Sequence, residues 1–222
     1  MDIVFVTDHP TFTFLSTMQP LLSLYSQCNI PHTLHIQHVE YALAQTTSKP
    51  TLFVLNIWFS RINGFDLCQF FVQTYPHAYV LFCTQYETPA ILYEASQRGA
   101  VGLCTPVSLD HLYYIIPRVI VGDSLWTEGQ QKQIRLWRTT VIEYLTQLTG
   151  KERDIATCLA LRLTNLEIAN RLNVSERTIE GHVSQILNKW SFKTRLALAQ
   201  WGEQIGWAEW LRFQHWLQQS DV

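Results

Sequence analysis

Two Thr-x-x-Glu tetrads stand fifteen residues apart in this chain, Thr149-Gly-Lys-Glu152 and Thr164-Asn-Leu-Glu167, and Ser175 follows eleven residues after the second. In such a tetrad the threonine hydroxyl accepts an otherwise orphaned first-turn N–H, while the glutamate reaches back to the threonine's own N–H. Each tetrad opens an apolar-periodic run, so the spacing predicts two short helices, at 150–163 and 165–172. Ile155, Leu159 and Leu163 of the first are expected to face a core, with Leu166, Ala169 and Leu172 of the second. Only Asn173-Val174 separates the second helix from a third capped by Ser175. Two helices joined by so short a turn form a helix-turn-helix.

Along residues 174–190, Ile179, Val183, Ile186, Leu187 and Trp190 recur at i, i+4, i+7, i+8 and i+11, one apolar stripe of a helix. Arg177, Glu180, Gly181, Ser184 and Asn188 fall on the opposite side. A capped helix with small polar residues outward suits the DNA major groove, which admits one helix and presents hydrogen-bonding base edges to it. The contact set expected on this basis is Ser175, Arg177, Thr178, Glu180, Gly181, Ser184, Gln185, Asn188 and Lys189, with Lys193 and Arg195 just beyond. Arg177 suits a guanine or a phosphate, and Glu180 a cytosine amino group. His182 interrupts the polar side and reads as a partly buried structural residue.

The segments Leu148–Ile155, Thr164–Leu172, Val174–Leu187 and Lys193-Thr-Arg195 together resemble the LuxR/NarL-type DNA-binding domain, over about residues 146–206. The resemblance implies that the third helix enters the groove and that a fourth, near 194–205, serves dimer contacts. Double-stranded DNA, and a second copy or another regulator as homodimer or heterodimer partner, are the partners it implies. Many members carry groove-contacting lysines or other polar residues at the positions of Glu180 and Ser184, so the sequence read here differs from theirs.

The net charge of −2 hides an asymmetry that fits this picture. Residues 1–121 hold four Lys/Arg against seven Asp/Glu, a balance of −3, whereas residues 150–195 hold eight against five, a balance of +3. A modest basic excess is the sign expected for phosphate contact.

Residues 1–121 alternate short apolar runs with helical patterns. Strands are expected at 3–6, 33–36, 51–55, 78–83 and 101–104, and helices near 10–26, 39–46, 64–74, 88–97 and 108–121. Five of each imply an α/β doubly wound, five-stranded parallel sheet with any site at the carboxyl ends of its strands. Those ends carry Thr7-Asp8, Asn56, Thr84 and the segment up to Pro106. Asn56 to Gly64, Thr84 and Arg98-Gly-Ala-Val-Gly102 resemble the receiver domain of two-component response regulators, over about residues 2–121.

That family uses an acidic pair for Mg²⁺, an Asp as phosphoacceptor and a Lys that pairs with the phosphate. Here Thr7 stands for the first acid and Asp8 for the second, Asn56 stands at the phosphoacceptor, and Pro106, or Thr105 with a one-residue gap, stands at the lysine. An amide lacks the anionic oxygen needed to form an acyl phosphate, and hard Mg²⁺ draws on carboxylates. The expectation is a pseudo-receiver that is not phosphorylated and works through a protein partner, with Tyr93, Tyr113 and Tyr114 as surface or core aromatics of its later helices. A small ligand in place of phosphate is the other option, though no motif names one.

Five scattered cysteines, Cys28, Cys68, Cys83, Cys104 and Cys158, lack any C-x-x-C spacing and read as reduced thiols. No catalytic set, metal cluster or cofactor motif is recognised, so no enzyme is expected. No apolar run approaches the roughly 18 residues of a membrane span, and the opening Met-Asp-Ile-Val-Phe-Val has no basic leader region, so a cytoplasmic protein is expected.

The expected organisation is a pseudo-receiver over 1–121, a partly helical linker over 122–147, the helix-turn-helix domain over 148–206 and a Trp-rich extension over 207–222. Trp137, Val141, Tyr144 and Leu148 form a stripe able to pack on either domain, and Trp207, Trp210, Phe213 and Leu217 need a partner surface. The function expected is a sequence-specific DNA-binding transcription regulator controlled without phosphorylation. The alternative is an adaptor that keeps both folds as protein-docking modules without binding DNA.

Overall fold

The protein is described here by a computed structural model, which describes residues 2–7, 33–44, 49–59, 62–105, 114–115, 117–119 and 121–207. The chain divides into two compact units, residues 1–87 with 94–130 and residues 88–93 with 131–222.

The first unit is built on five parallel strands, β1 (Asp2–Thr7), β2 (Thr33–His38), β3 (Thr51–Leu55), β4 (Ala78–Cys83) and β5 (Gly102–Cys104), in the order β2-β1-β3-β4-β5. With the helices α1 (Val39–Ala44) and α2 (Gly64–Thr74) and residues 94–97 of α3 (Pro89–Gln97), whose first turn belongs to the second unit, this is the doubly wound arrangement expected. β3 lies in the middle and is buried at all five positions, which is why its Thr-Leu-Phe-Val-Leu is one apolar run instead of an alternating one. Its side chains serve two cores in turn. Leu52 and Val54 join Ile3, Phe5, Leu81 and Val119, while Phe53 stacks on Phe71 of α2 at 4.0 Å and Phe82 of β4 meets Phe65 at 5.2 Å. The helix expected near 10–26 lies outside the described residues, and that over 108–121 is described at 114–115 and 117–119, which are helical, and at 121, which is in a turn.

Gly64 is fixed by its neighbour. Its N–H donates to Ile57 O at 2.8 Å, and a Cβ there would lie 2.1 Å from the backbone oxygen of Asn56. The spacing from Asn56 to Gly64 therefore has a steric cause: the loop after β3 folds back onto the start of α2, where Asn63 caps the helix by accepting from Asp66 N–H.

The second unit holds residues 131–146 of α4 (Glu128–Thr146), with α5 (Gly150–Ala160), α6 (Asn165–Leu172), α7 (Glu176–Lys189) and α8 (Arg195–Gln204). Ile155, Leu159, Ala169, Ile179, Val183, Ile186 and Trp190 are buried together, with Leu163, Leu172 and Leu187 half-buried against them, as the spacing requires. Trp137, Val141 and Leu148 enter this same core and Tyr144 packs on it, so the stripe of α4 belongs to the second unit. Trp207 is buried there too, 5.7 Å from Trp190 and 5.9 Å from Trp201, whereas Trp210, Phe213 and Leu217 lie outside the described residues.

Two expectations are corrected. Leu166 is 57% exposed and Ile168 is fully buried in its place. Residues two apart on a helix point some 200° away from each other, and Ile168, Ala169 and Leu172 together outweigh Leu166. α5 also ends at Ala160, three residues early, because Arg162 takes a left-handed conformation at φ 62°. Arg162 N–H then donates to Leu159 O and Leu163 N–H to Cys158 O, the paired bonds of a Schellman stop. Asn173 ends α6 and Ser191 ends α7 in the same way, at φ 52° and 56°. None of the three stops uses glycine.

Candidate nucleic-acid interface

The helix-turn-helix is set by its caps. In both tetrads the threonine accepts from the glutamate N–H and the glutamate accepts from the threonine N–H. Ser175 accepts from Thr178 N–H at 3.1 Å, and its hydroxyl lies 2.7 Å from that of Thr178. This caps α7 at Ser175, two residues after the left-handed Asn173, so the turn between α6 and α7 is as tight as the sequence predicts.

With its apolar stripe buried, α7 exposes Arg177, Thr178, Glu180, Gly181, Ser184, Gln185 and Asn188, and Ser175 is exposed before it. A Cβ on Gly181 would meet nothing within 4 Å, so the backbone there is open to close approach. Ser184 donates its hydroxyl to Glu180 O at 3.0 Å, leaving its oxygen able to accept. The N-terminal end of α7 carries Arg177, and a helix N-terminus together with a guanidinium attracts anions. His182 is half-buried, and its Nδ1 is buried without a hydrogen-bond partner among the described residues.

Two residues expected at the interface are engaged within the protein. The Lys189 ammonium contacts both carboxylate oxygens of Glu152 at 2.8 and 2.7 Å, tying the end of α7 to the start of α5. Glu152 is buried, and its bonds from Lys189 and then from Thr149 N–H hold its carboxyl down at about 2. Arg195 donates to Asn165 Oδ1 at 2.8 Å and to Leu163 O, tying the start of α8 to the α5–α6 turn. Both residues position helices, a role invisible in the sequence because their partners lie 37 and 30–32 residues away. Lys193 is exposed.

The positions expected to correspond to a phosphotransfer site are less completely described. Asn56 lies exposed past the end of β3 and accepts from Ile57 N–H at 2.7 Å. Thr84 is buried and accepts from Tyr86 N–H at 3.2 Å. Both therefore hold local backbone, as structural polar groups do. The side chain of Thr7 and all of Asp8 and Pro106 lie outside the described residues. Tyr93 is half-buried with its ring 6.5 Å from that of Trp137, Tyr114 is exposed, and Tyr113 is outside the described residues. Among the described residues no helix is long and apolar enough to cross a membrane, and no three or more His, Cys, Asp or Glu side chains gather as a metal cluster.

Residues 146–201 match the bacterial regulatory proteins of the luxR family. The nitrate/nitrite response regulator NarL of Escherichia coli is 26% identical over 208 residues, covering 91% of this chain and 94% of that protein. The uncharacterized transcriptional regulatory protein YxjL of Bacillus subtilis is 27% identical over 71% of this chain and 75% of its own length. Among solved structures, the RcsB response regulator of Salmonella typhimurium superposes with a TM-score of 0.59 at 16% identity, over 90% of this chain and 98% of that one. An RcsB–DNA complex superposes at 0.55 with 16% identity, covering 92% and 98%. The chain thus carries a luxR-family regulatory domain over residues 146–201 and is a homologue of the NarL-like response regulators.

Proposed function

We propose that this protein is a sequence-specific DNA-binding transcription regulator whose receiver-like unit acts without phosphorylation. The observation that carries the DNA-reading half is α7 itself: a capped helix, outward-facing with small polar residues, on a tight helix-turn-helix inside the luxR-family match. NarL is a response regulator by name, and RcsB, whose fold this chain shares, has been captured as dimers bound to DNA. Dimeric binding to duplex DNA is the corresponding proposal here, with a second copy or another regulator as partner, in the cytoplasm. Ser175, Arg177, Thr178, Glu180, Gly181, Ser184, Gln185, Asn188 and Lys193 are the contact set, with Lys189 and Arg195 holding the helices in place.

Phosphorylation independence rests on chemistry. Asn56 has no carboxylate to accept a phosphoryl group, and its amide oxygen is already accepting from Ile57 N–H. The division of labour we propose is a pseudo-receiver over 1–121 that takes its input from a protein partner, a connection over 122–147, a DNA-binding domain over 148–206 and a Trp-rich extension over 207–222. The adaptor reading keeps one observation in its favour: Lys189 and Arg195 are turned inward, which leaves few cations for phosphates.

Binding of the full-length protein to pooled genomic duplex fragments over a salt series separates the two readings. Selective enrichment of particular sites, with affinity falling as salt rises, is the expected result. Absence of any selective binding would overturn the DNA-reading proposal in favour of the adaptor.

A further inference from the structure

Cys83 and Cys104 stand twenty-one residues apart in the sequence, yet they are register partners at the carboxyl ends of β4 and β5. Both side chains pack half-buried on the same core face, near Leu81, Val119 and Leu125. The Cys104 thiol is hydrogen-bonded to that of Cys83 and lies 3.5 Å from Phe82 O, while Cys83 Sγ lies 4.0 Å from Thr105 O. Thr84 N–H donates to Cys104 O at 2.9 Å, so the two thiols sit on the strand ends that border the degenerate phosphotransfer site.

We propose that Cys83 and Cys104 form a binding site for a thiophilic divalent d¹⁰ cation, taken up as a neutral bis-thiolate. The balance is M²⁺ + 2 RSH → M(SR)₂ + 2 H⁺, with two metal–sulfur bonds formed, two S–H bonds broken and no redox change. Soft thiolate ligands select such ions. Metal–sulfur bonds of about 2.3 Å hold two sulfurs roughly 3.8–4.6 Å apart between tetrahedral and linear geometry, which suits neighbouring strands about 4.7–4.9 Å apart. A disulfide fits less well, because it needs Cβ atoms about 3.5–4.5 Å apart.

Electrostatics favours the same choice. The hydrogen bond that the Cys104 thiol donates to Cys83, then burial and the nearby Glu87 carboxylate, hold that thiol above its ordinary value. A divalent ion displaces both protons and leaves no net charge beside Glu87. A monovalent ion would leave the site negative. This inference does not depend on DNA binding or on how the receiver-like unit is controlled.

Cadmium(II) is the probe, added to reduced full-length protein. The expected result is a thiolate-to-cadmium ultraviolet band saturating at one ion per chain, with two protons released per ion. Cys83 and Cys104 should both become protected from alkylation, as mapped by peptide mass spectrometry. Cys83→Ser and Cys104→Ser should each lose the band, whereas Cys28→Ser, Cys68→Ser and Cys158→Ser should keep it. Protection of only one of the two thiols, or loss of the band in Cys28→Ser, would overturn the site. The protection map is read on the unaltered protein, so a serine variant that fails to fold leaves the test intact.

Discussion

Replacing Glu152 by glutamine keeps the cap on α5, since an amide oxygen still accepts from Thr149 N–H, but removes the charge that holds Lys189 against the start of that helix. A carboxyl held at about 2 against an ordinary 4.5 corresponds at full strength to about 3 kcal/mol of folding stability. The Lys189 side chain is 39% exposed, so water screens part of this, and about 1–2 kcal/mol is the expected contribution. The sign follows from the direction. A depressed carboxyl stabilises fully above pH 4.5 and loses that contribution as the pH falls toward 2. Glu152→Gln should therefore be less stable than the parent at pH 7, with the gap closing between pH 4.5 and 2. Urea unfolding followed by tryptophan fluorescence is suitable, because Trp137, Trp190 and Trp207 are buried in the same core. Lys189→Met should cost a similar amount, and the double variant no more than either single one. A gap that stays constant from pH 7 to pH 2, or costs that add in the double variant, would refute the reasoning.

Three further outcomes are expected. Arg177→Ala should weaken specific DNA binding by about 1–3 kcal/mol if Arg177 reads a guanine; unchanged affinity and sequence preference in a fragment-enrichment assay would remove it from the interface. Ser191→Gly should stabilise the protein by about 0.5–1 kcal/mol in urea unfolding, because a left-handed non-glycine residue costs about 1–2 kcal/mol and glycine returns only part of that as entropy. Gly64→Ala should destabilise the first unit by about 3 kcal/mol, since the new Cβ meets Asn56 backbone that has no room to give; an unfolding midpoint equal to the parent's would exclude that steric account.

The elements legible in the sequence were those whose cause is local. A capping box is written in four consecutive residues, and a β3 buried on both sides is written as four consecutive apolar residues after Thr51, so both were found where expected. The ends of α5 and α7 were harder, because their left-handed stops fall on Arg162 and Ser191, where the usual glycine signal is missing. Leu166 misled for a different reason: an apolar residue on a short helix fits two stripes, and only the packing of Ile168 decides between them. The roles of Lys189 and Arg195 were beyond reach, since a cation near a polar helix reads as a phosphate contact until its carboxylate or carbonyl partner is brought beside it by the fold. The pairing of Cys83 with Cys104 belongs to the same class, being set by strand register alone.

These inward-turned cations change how specificity would arise on α7. Each phosphate neutralised adds a slope of about −0.9 to the dependence of log affinity on log salt. Lys189 is bonded to Glu152 and Arg195 to the α5–α6 turn, whereas Arg177 and Lys193 of the contact set are exposed, and Glu180 opposes them. A single domain would then bind non-specific DNA weakly, and useful affinity would require either two domains acting together or close fit of the backbone at Gly181 to a base edge. Lys189→Met separates positioning from contact: as a positioning residue it should lower stability while leaving the salt slope unchanged, whereas Lys193→Met should do the reverse.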